Sequence, residues 1–550
     1  MNPRRVIATA AAALLAAAAV QLPSGAARAD SSSTLTVVGT SDVYDSNLVQ
    51  SVLKPGFEHA YPQFTLNYVS KGTGAAIQYA EAGTASALIV HAASLENQFV
   101  GAGYSLEPYG RALFYGDYVL LGTVLDPANV FVTAPHDIVT AFEDIAAVGA
   151  QGNANFVSRG GTPGTTVAEH LLWAQTHGVT LCNVSAANGG GMSPSTTAGD
   201  CPSTISYPSW YHATGLTQAP NIENADTCNY TGGGCYVLTD RGTYDYLVAT
   251  HAISNLSIVT RNNATSARGG ATALINSFHA YAVNPAKFDA STAAQINTTA
   301  ATDFLSWVTS PAAQTAVAGY LAAADDPPFL PDAAPVLKVT TKVPGIVAAG
   351  EPVRVAGVLQ NAVPGTPPLA GKEVDLVQTA PSTTRGADIG TPRTIAHTLT
   401  DGTGAWGFTF RPTTNATFAV RTAATTQIED ATLSPPFGDL LQPAGAAVGS
   451  LELLAHASIP KATLDGRTVT LTVALAPAPL TGLVAHLRVL AGRPGQPLRL
   501  ITKKVVRAGA RTVKISFTLP VLGDWNLRVG YVSTAQFTGA RTPVLRVRLR

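Results

Sequence analysis

Short apolar runs of strand length alternate with amphipathic stretches of helical period between residues 30 and 325. Runs of this kind lie at residues 35–38, 64–69 and 87–90, and the first two lead into amphipathic stretches. The alternation predicts an α/β domain with a largely parallel sheet, because helices are the usual connections between parallel strands. A longer apolar run at residues 115–122 predicts a strand that crosses from one lobe of the domain to a second lobe.

The pattern changes to a period of two in the C-terminal half. Residues 336–428 and 450–550 are poor in helical patterns and contain runs in which every second residue is apolar. This alternation between turn segments predicts two small antiparallel β-sandwiches of the immunoglobulin-like type. Proline-rich residues 326–335 and the Pro/Gly/Ala-rich residues 429–450 are predicted to be the linkers that separate these units.

The first 29 residues have the pattern of a secretory signal. Arg4 and Arg5 precede an Ala/Leu run at residues 10–20 and a small-residue site at 27–29, which predicts cleavage before Asp30. The arginine pair also permits the twin-arginine route. Because no cysteine follows the site and no other apolar run can span a bilayer, we expect a soluble, secreted or extracytoplasmic protein without a lipoprotein anchor.

Charge is sparse and unevenly distributed. Charged residues make up 12% of the chain and the formal net charge is zero, yet residues 451–550 hold 15 Lys/Arg against three acids. A basic C-terminal domain predicts an anionic partner such as a cell-envelope polymer, whereas a nucleic-acid partner is not expected. The alternative is that Arg546, Arg548 and Arg550 alternate along an edge strand and protect it from unwanted pairing.

All four cysteines lie in a segment rich in Asn, Gly, Ser, Thr and Pro, residues 178–235. They are Cys182, Cys201, Cys228 and Cys235. An even number in an exported chain predicts two disulfides, and the short loops favour Cys182–Cys201 with Cys228–Cys235, although other pairings stay open. The composition predicts a disulfide-bonded insertion of irregular loops. A zinc site would need histidines or tighter spacing, and no metal or cofactor is predicted.

Three donor-rich loops follow predicted strands, at residues 39–42, 70–74 and 158–166. The third loop carries Arg159 and several threonines and leads into an amphipathic stretch of helical period. A guanidinium, hydroxyls and the free N–H groups of a first helical turn are all donors, so their natural partner is an oxyanion. The alternative is an ordinary strand–helix connection with threonine caps.

Motifs that resemble one protein family follow one another in a fixed order between residues 34 and 322. They are Thr40-Ser41, Asp45-Ser46, Gly72-Thr73-Gly74, Ile89-Val90-His91-Ala92, Asp126-Pro127-Ala128, Ser158-Arg159-Gly160, Gly164-Thr165, Glu169, Leu172-Trp173, Leu238-Thr239-Asp240-Arg241-Gly242-Thr243-Tyr244, Val283-Asn284-Pro285, Trp307, Ser310-Pro311 and Gln314. Their order and content resemble the tungstate-binding component of bacterial ABC transporters, a relative of the molybdate- and phosphate-binding proteins.

The resemblance implies a two-lobed, periplasmic-binding-protein-like domain of type II at residues 30–325. Such a domain closes on a tetrahedral oxyanion, here tungstate or molybdate with phosphate as an alternative, and delivers it to the permease of an ABC importer. The family's anion-binding loops correspond here to the residues Thr40, Ser41, Thr73, Ser158, Arg159, Gly164 and Thr165.

Asp42 departs from the family pattern, which has a serine at this position. Tungstate and molybdate near neutral pH carry no proton and would be repelled by a carboxylate, whereas phosphate keeps a proton that a carboxylate can accept. Asp42 is therefore a candidate selectivity residue. The alternative is that it caps the following helix and points away from the ligand. A second departure is Gly161-Thr162-Pro163, where the family carries acids and a serine.

No catalytic motif accompanies these loops. The sequence contains neither a nucleophile elbow nor an HExxH helix, and Glu169 and His170 are adjacent on a helix and do not share a face. We therefore predict a binding protein and not an enzyme. Arg241 is expected to brace the lobe near the hinge, and His91 to be a satisfied core histidine. The alternative function is a cell-surface adhesion or scaffold protein with a degenerate binding domain.

Overall fold

A computed structural model of the chain describes residues 33–181, 184–185, 207–322, 326–380 and 390–550. The predicted signal segment and the predicted pairing of Cys182 with Cys201 lie outside the described residues. Within them, no helix combines the length and the apolar character that crossing a membrane would need.

Helices and strands alternate in the first part of the chain, and the regular elements described beyond residue 326 are strands. The helices are α1 (Ser41–Asp45), a π-helix (Val49–Leu53), α2 (Lys54–Ala60), α3 (Thr73–Glu81), α4 (Ala93–Gly101), α5 (Val130–Thr133), α6 (Ile138–Gly149), α7 (Gly164–Trp173), α8 (Gln218–Thr227), α9 (Arg241–Ala249), a 3₁₀ helix (Pro285–Lys287), α10 (Ala290–Ala293), α11 (Thr298–Val308) and α12 (Pro311–Gly319). The strands before residue 332 are β1 (Thr34–Thr40), β2 (Thr65–Lys71), β3 (Ala87–Val90), β4 (Gly110–Thr123), β5 (Asn155–Ser158), β6 (Thr180–Leu181), β7 (Val184–Ser185), β8 (Tyr211–Ala213), β9 (Cys235–Asp240), β10 (Leu256–Thr260), β11 (Ile275–Ala282) and β12 (Leu330–Pro331). The later strands are β13 (Val336–Thr341), β14 (Ile346–Ala348), β15 (Val353–Gln360), β16 (Glu373–Thr379), β17 (Arg393–Leu399), β18 (Ala405–Phe410), β19 (Ala416–Arg421), β20 (Thr425–Asp430), β21 (Phe437–Leu441), β22 (Gly445–Leu454), β23 (His456–Asp465), β24 (Thr468–Ala476), β25 (Ala485–Gly492), β26 (Arg499–Val506), β27 (Thr512–Thr518), β28 (Gly523–Tyr531), β29 (Ala540–Arg541) and β30 (Leu545–Leu549).

The first lobe is a sheet with the strand order β2-β1-β3-β11-β4 and helices packed on it. β1 runs parallel to β2 and β3, whereas β11 is antiparallel to both of its neighbours. Leu35 and Val37 of β1 share a fully buried core with Phe57 and Phe304 from the helices. The predicted α/β lobe is confirmed, with an antiparallel strand inserted into an otherwise parallel sheet.

β4 belongs to both lobes. It pairs with β11 from Arg111 to Asp117 and then with β9 and β10 from Tyr118 to Thr123. The second lobe continues as β9-β5-β8, and β5 runs parallel to both of its neighbours. The prediction that the apolar run at residues 115–122 crosses between two lobes is therefore confirmed.

The strands that precede the donor-rich loops lead directly into helices. β1 ends at Thr40 and α1 begins at the next residue, β2 ends just before α3, and β5 is followed after a short loop by α7. Ligand sites of open α/β sheets lie outside such carboxyl ends of strands. The fold therefore brings loops from both lobes to the edge where a ligand site is expected.

The segment predicted as an insertion of irregular loops, residues 178–235, contains regular structure in its described part. β8 extends the second-lobe sheet beside β5, and α8 follows it. Trp210, Tyr211 and Ile222 of this segment are buried in the lobe. The loop prediction is wrong here because the polar composition hides a few apolar residues that tertiary contacts bury.

The predicted disulfide between Cys228 and Cys235 is present, with Cα atoms 5.6 Å apart. It joins the residue that ends α8 to the first residue of β9. Cys228 lies in the left-handed region with φ 44°, so the chain turns sharply there, and Cys235 is fully buried. The disulfide therefore fixes the path by which the chain returns to the sheet.

The C-terminal strands form two pairs of sheets, each pair with one sheet of three strands and one of five. Val355 of β15 and Trp406 of β18 share a buried core with Phe418 and Val420 of β19, which lies in the neighbouring sheet. Sheets joined by buried facing residues are compatible with the predicted β-sandwiches. The immunoglobulin-like type stays a prediction.

Both predicted linkers contain strands that join the first sheet. β20 and β21 form a hairpin, and β21 runs parallel to β4, with Asp439 opposite Gly110. β12, inside the proline-rich residues 326–335, also pairs with β4. The linker predictions are wrong in this respect, because proline and glycine content does not reveal pairing with a distant strand. We refer to residues 425–441 as the docked hairpin.

Candidate functional site

The three donor-rich loops lie against one another. The backbone N–H of Gly74 donates to the carbonyl of Thr162 at 3.3 Å, and a Cβ at Gly72 would lie 3.1 Å from Pro163. A Cβ at Gly164 would lie 2.2 Å from the ring of His91. Because a side chain cannot fit there, glycine at the start of α7 allows the second lobe to contact the first lobe closely.

Three buried hydroxyls of the first lobe make no hydrogen bond of normal geometry with a described residue, although one of them, that of Thr40, interacts with the carboxylate of Asp42. They belong to Thr40, Ser41 and Thr73, whose side chains are at most 1% exposed. Thr40 lies opposite Lys71 in the parallel register of β1 and β2, so the two chain segments leave the sheet side by side. Because a buried hydroxyl without a partner costs about 1–3 kcal/mol, these donors favour an acceptor that satisfies them.

Arg159 supplies a buried positive charge from the second lobe. Its side chain is only 7% exposed, and Nη1 donates to Oε1 of Gln218 at 2.7 Å. Burial lowers the pKa of Arg159, whereas the carboxylates of Asp42, Asp45 and Asp240 oppose that effect. The guanidinium stays charged because an arginine pKa lies far above neutral pH.

Asp42 forms a fully buried ion pair with His91, in which Oδ2 lies 2.8 Å from Nε2. Burial, the largest single effect, would raise the pKa of Asp42. The charge and hydrogen bond of His91, a hydrogen bond from Thr40 and the charge of Arg159 together lower that pKa to about 2. Burial likewise opposes protonation of His91, but the charge of Asp42 raises the pKa of His91. The other ring nitrogen of His91 lies 3.0 Å from the hydroxyl of Tyr118, as expected for a satisfied core histidine.

Asp42 does not cap the helix that follows β1. The N-cap position of α1 is Thr40, and no side chain accepts a hydrogen bond there. The capping alternative is therefore wrong, because the carboxylate turns towards His91 and stays inside the protein. Besides that ion pair, the hydroxyl of Thr40 interacts with the Asp42 carboxylate and helps to lower its pKa.

The hydroxyl of Ser158 faces the interior of the second lobe. It donates to Oε2 of Glu169 at 2.8 Å and accepts from the backbone N–H of Gly160 at 3.2 Å. Glu169 also accepts hydrogen bonds from Trp173 and from Tyr211, at 3.2 and 2.5 Å. The proton of the Ser158 hydroxyl is therefore used within the lobe, whereas the hydroxyls of Ser41 and Thr73 have no hydrogen-bond partner among the described residues.

Gln218 is a central residue of the site that the sequence did not indicate. Its Oε1 accepts from Arg159 and, at 3.3 Å, from the hydroxyl of Thr165, and its Nε2 donates to Asp240 at 2.9 Å. Gln218 begins α8, inside the segment predicted as irregular loops. The amide fixes Arg159 and Thr165 relative to the end of β9.

Two further acids lie at this edge. Oδ2 of Asp45 in α1 accepts from the backbone N–H of Ala219 in α8 at 3.0 Å, which joins the two lobes. Asp240 caps α9 by accepting from the backbone N–H of Thr243 at 2.7 Å. Burial and then the charge of Asp42 raise the pKa of Asp240 to about 7.

Arg241 braces the strand that links the lobes. Its Nε and Nη2 donate to the two carboxylate oxygens of Asp117 at 2.6 and 2.5 Å, and Asp117 lies where β4 changes partners from β11 to β9. The prediction of a structural role near the hinge is confirmed. The site as a whole offers hydroxyl and guanidinium donors together with the ionised carboxylate of Asp42 and the nearby carboxyl groups of Asp45 and Asp240.

Comparison with known proteins places this architecture in a family. Residues 24–312 match the model of the PBP superfamily domain. A protein named as an ABC transporter anion-binding protein, from Haloferax volcanii, is 30% identical over 288 residues, which are 52% of this chain and 69% of the relative. The tungstate-binding protein TupA of Peptoclostridium acidaminophilum is 28% identical over 315 residues, 56% of this chain and 89% of that protein.

A solved structure is also similar to this chain. The tungstate-binding protein TupA from Desulfovibrio alaskensis G20 is 27% identical, with a TM-score of 0.39, and the match covers 54% of this chain and 98% of that chain. The match to the family model ends at residue 312, before the C-terminal sheets begin. The relatives are named for binding and not for catalysis, in agreement with the prediction that this chain is not an enzyme.

Proposed function

Because this chain belongs to the PBP superfamily, we propose that it is an extracytoplasmic binding protein for a tetrahedral oxyanion, which it delivers to an ABC importer. The observation that carries the proposal is that the buried hydroxyls of Thr40, Ser41 and Thr73 make no hydrogen bond of normal geometry with the described residues, together with the buried charge of Arg159. Relatives named for binding an anion and tungstate support the same ligand class. Export would depend on the secretory signal pattern in residues 1–29.

Each element of the site has a part in this proposal. Thr40, Ser41 and Thr73 donate hydroxyl hydrogen bonds to the anion, and Arg159 supplies the positive charge. Gly164 and Thr165 begin α7, a helix of ten residues whose first N–H groups favour negative charge. Ser158 acts through its bond to Glu169, which fixes the loop that carries Arg159.

Asp42 sets the selectivity among oxyanions in this proposal. Its lowered pKa keeps the carboxylate ionised, with His91 and the hydroxyl of Thr40 as its partners. An ionised acceptor favours an anion that retains a proton, such as phosphate, and disfavours tungstate and molybdate. Tungstate is therefore the first ligand to test, because the relatives are named for binding it. Phosphate is the competing candidate, because the Asp42 carboxylate can accept its proton.

A panel of oxyanions tests the proposal directly. Thermal unfolding of the full chain is measured with tungstate, molybdate, phosphate and sulfate at micromolar concentration. A ligand at about 100 times its dissociation constant stabilises the folded state by roughly 2.7 kcal/mol, which a thermal shift readily detects. Absence of a shift with all four anions would contradict the oxyanion site.

The Asp42→Ser variant tests selectivity by calorimetry. The serine restores a donor where the family has one, so the ratio of tungstate to phosphate affinity is expected to rise. An unchanged ratio would remove Asp42 from the selectivity mechanism while leaving the oxyanion site intact. The panel above, repeated on the variant, separates the two outcomes.

A second candidate function rests on the basic face of the C-terminal domain. Arg546, Arg548 and Arg550 are all exposed, while Leu549 of the same strand is buried. We propose that this face binds an anionic envelope polymer, with edge protection as the alternative. Retention of the full chain on polyanion-coated beads is expected to be lost at high salt and in a variant with all three arginines changed to glutamate. Equal retention by that variant would contradict the proposal.

A further inference from the structure

A cluster of carboxylates and one imidazole lies where the docked hairpin meets the first lobe. His279 is in β11 and Glu96 is in α4, whereas Glu429 and Asp439 come from the two strands of the hairpin. β21 reaches this position because it pairs with the start of β4. The cluster is separate from the oxyanion site and contains none of its residues.

Three side chains of the cluster have the spacing of a metal-binding group. Each of His279, Glu429 and Asp439 offers one ligand atom, and these three atoms lie within 4.8 Å of one another. Nε2 of His279 lies 3.0 Å from Oδ1 of Asp439. Two ligands of a tetrahedral Zn²⁺ ion, each 2.0–2.1 Å from the metal, are roughly 3.3 Å apart, so this pair needs little movement.

Buried atoms without hydrogen bonds point to a ligand in the same place. Asp439 is 1% exposed and interacts with His279 and Glu429 of the same cluster, yet neither of its carboxylate oxygens makes a hydrogen bond of normal geometry with a described residue. Nε2 of His279, whose residue is 3% exposed, likewise lacks one. Burying a carboxylate is costly unless it is fully paired or coordinates a metal, and one imidazole cannot neutralise both Asp439 and the neighbouring Glu429.

Glu96 orients the imidazole of His279. In many metal sites, a carboxylate holds the metal-binding histidine in the same way, through the ring nitrogen that does not bind the metal. Oε2 of Glu96 lies 2.8 Å from Nδ1 of His279 and also accepts from the hydroxyl of Tyr281 at 2.7 Å. Glu96 is fully buried, so this contact is fixed by the packing of α4. With Nδ1 donating to Glu96, Nε2, which faces Asp439 at 3.0 Å, is the nitrogen that would bind a metal.

The charge of the cluster also favours a cation. Glu96, Glu429, Asp439 and the 1%-exposed Asp332 bring four carboxyl groups into one region, and a single imidazole can offset only one negative charge. Arg111, which lies nearby in β4, is already paired with Glu107 at 2.7 Å. The cluster therefore needs either shared protons or a bound cation.

We propose that His279, Glu429 and Asp439 bind a divalent transition-metal ion such as Zn²⁺, with Glu96 as the positioning residue behind His279. The imidazole ligand favours Zn²⁺ and similar first-row metal ions over Mg²⁺ and Ca²⁺, which prefer sites made of oxygen atoms alone. Two ligands come from the docked hairpin and one comes from the first lobe. The metal therefore fastens the C-terminal half to the binding domain.

Titration of the full chain with the metal alone is the first test. Tag-free protein is treated with a chelator and then titrated with Zn²⁺ by calorimetry, with thermal unfolding measured in parallel. One equivalent of Zn²⁺ and a higher unfolding temperature are expected, and Mg²⁺ at the same concentration should produce neither. A wild-type chain without saturable Zn²⁺ binding would overturn the proposal in favour of shared protons.

Variants locate the bound ion. Asp439→Asn keeps the shape of the side chain and should abolish the stoichiometric site, whereas Glu96→Gln should weaken Zn²⁺ binding roughly 10- to 100-fold. His177→Gln is the matched control, because His177 pairs with Glu143 on the surface and its side chain is 79% exposed. Wild-type Zn²⁺ affinity in Asp439→Asn, or its loss in His177→Gln, would overturn the assignment.

A spectroscopic measurement on the wild-type chain avoids any dependence on the folding of the variants. Co²⁺ bound in place of Zn²⁺ should give the absorption of a low-coordinate site with nitrogen and oxygen ligands and without thiolate bands. A six-coordinate spectrum, or thiolate bands from the cysteine-containing segment, would exclude the proposed ligand set. Oxyanion binding serves as the independent measure of an intact first lobe.

Discussion

At the residue scale, the site depends on side chains whose partners the structure reveals. Asp42 pairs with His91, Ser158 bonds to Glu169, and Arg159 bonds to Gln218. Among the described residues, the hydroxyls of Ser41 and Thr73 have no such partner. Thr40, Ser41 and Arg159 were indicated by the motifs of the sequence. Gln218 was not, because a glutamine in a polar segment carries no signal until the fold places it beside an arginine.

Replacing Arg159 tests the charge of the site. Arg159→Gln is expected to weaken binding of the oxyanion found in the panel roughly 10- to 100-fold, because a hydrogen bond to a charged group contributes about 1.5–3 kcal/mol. Calorimetry measures the change. Arg261→Gln is the control, since the side chain of Arg261 is 38% exposed and pairs with Asp326. Equal effects of the two substitutions would contradict a specific role for Arg159.

The buried pair of Asp42 and His91 predicts a dependence of stability on pH. Because the folded-state pKa of His91 is raised from 6.5, its contribution is complete below that value and is lost as pH rises through the raised pKa. The pKa of Asp42 is lowered from 3.8 to about 2, so its contribution is present above 3.8 and is lost only towards about pH 2. The pKa of Asp240 is raised from 3.8 in the unfolded chain to about 7 in the folded chain. The folded state therefore keeps a proton that the unfolded state releases, and stability falls as pH rises between those values.

The free energy of unfolding is therefore expected to fall as pH rises above about 6.5 and through the raised pKa of His91. Urea unfolding at a series of pH values measures the slope. In Asp42→Asn the charge that raises the pKa of His91 is gone, so the decline above pH 6.5 should be smaller. His177→Asn, which changes an exposed histidine, should keep the wild-type slope. Identical slopes in all three chains would refute the role of the pair.

At the element scale, strands and helices followed the hydrophobic pattern wherever the pattern was regular. β3 and β4 are apolar runs, and both are found as predicted. The pattern failed for β8, α8 and the docked hairpin. These elements are short, and their few apolar residues are buried by contact with distant parts of the chain and not by neighbours in sequence.

The disulfide that joins α8 to β9 gives a prediction at this scale. The double substitution Cys228→Ser and Cys235→Ser should lower the free energy of unfolding by roughly 2–3 kcal/mol, the value expected for a short closed loop. Chemical denaturation under non-reducing conditions measures this difference. A reducing agent should lower the free energy of unfolding of the wild-type chain by breaking this bond. The double variant lacks the bond and should not show that loss. No difference between the two chains would show that packing alone fixes this turn.

At the scale of the whole molecule, the C-terminal half is joined to the binding domain through β4. β12 and β21 both pair with this strand, and Phe329 is buried in the core of the first lobe. The chain is therefore not a binding domain followed by independent units on flexible linkers. The docked hairpin covers one end of the strand that the two lobes share.

Truncation tests this connection. A chain that ends at residue 335 keeps β12 and all the proposed oxyanion ligands but lacks the docked hairpin. In metal-free buffer, the binding domain should unfold at a lower temperature in the truncated chain than in the full chain. The difference should be roughly 2–4 °C for each kcal/mol by which its free energy of unfolding falls. The oxyanion affinity of the truncated chain should be unchanged within a few-fold. An equal unfolding temperature would show that the hairpin adds no stability.

The sequence by itself determined the two-lobed α/β plan, the strand that crosses between lobes and the donor-rich loops at strand ends. These features are local, because periodicity and motif order are properties of neighbouring residues. Only the tertiary structure decided that Asp42 pairs with His91, that Gln218 holds Arg159, and that the docked hairpin joins the first sheet. Each of these depends on contacts between residues far apart in the chain, and a linear pattern does not encode which distant groups will meet.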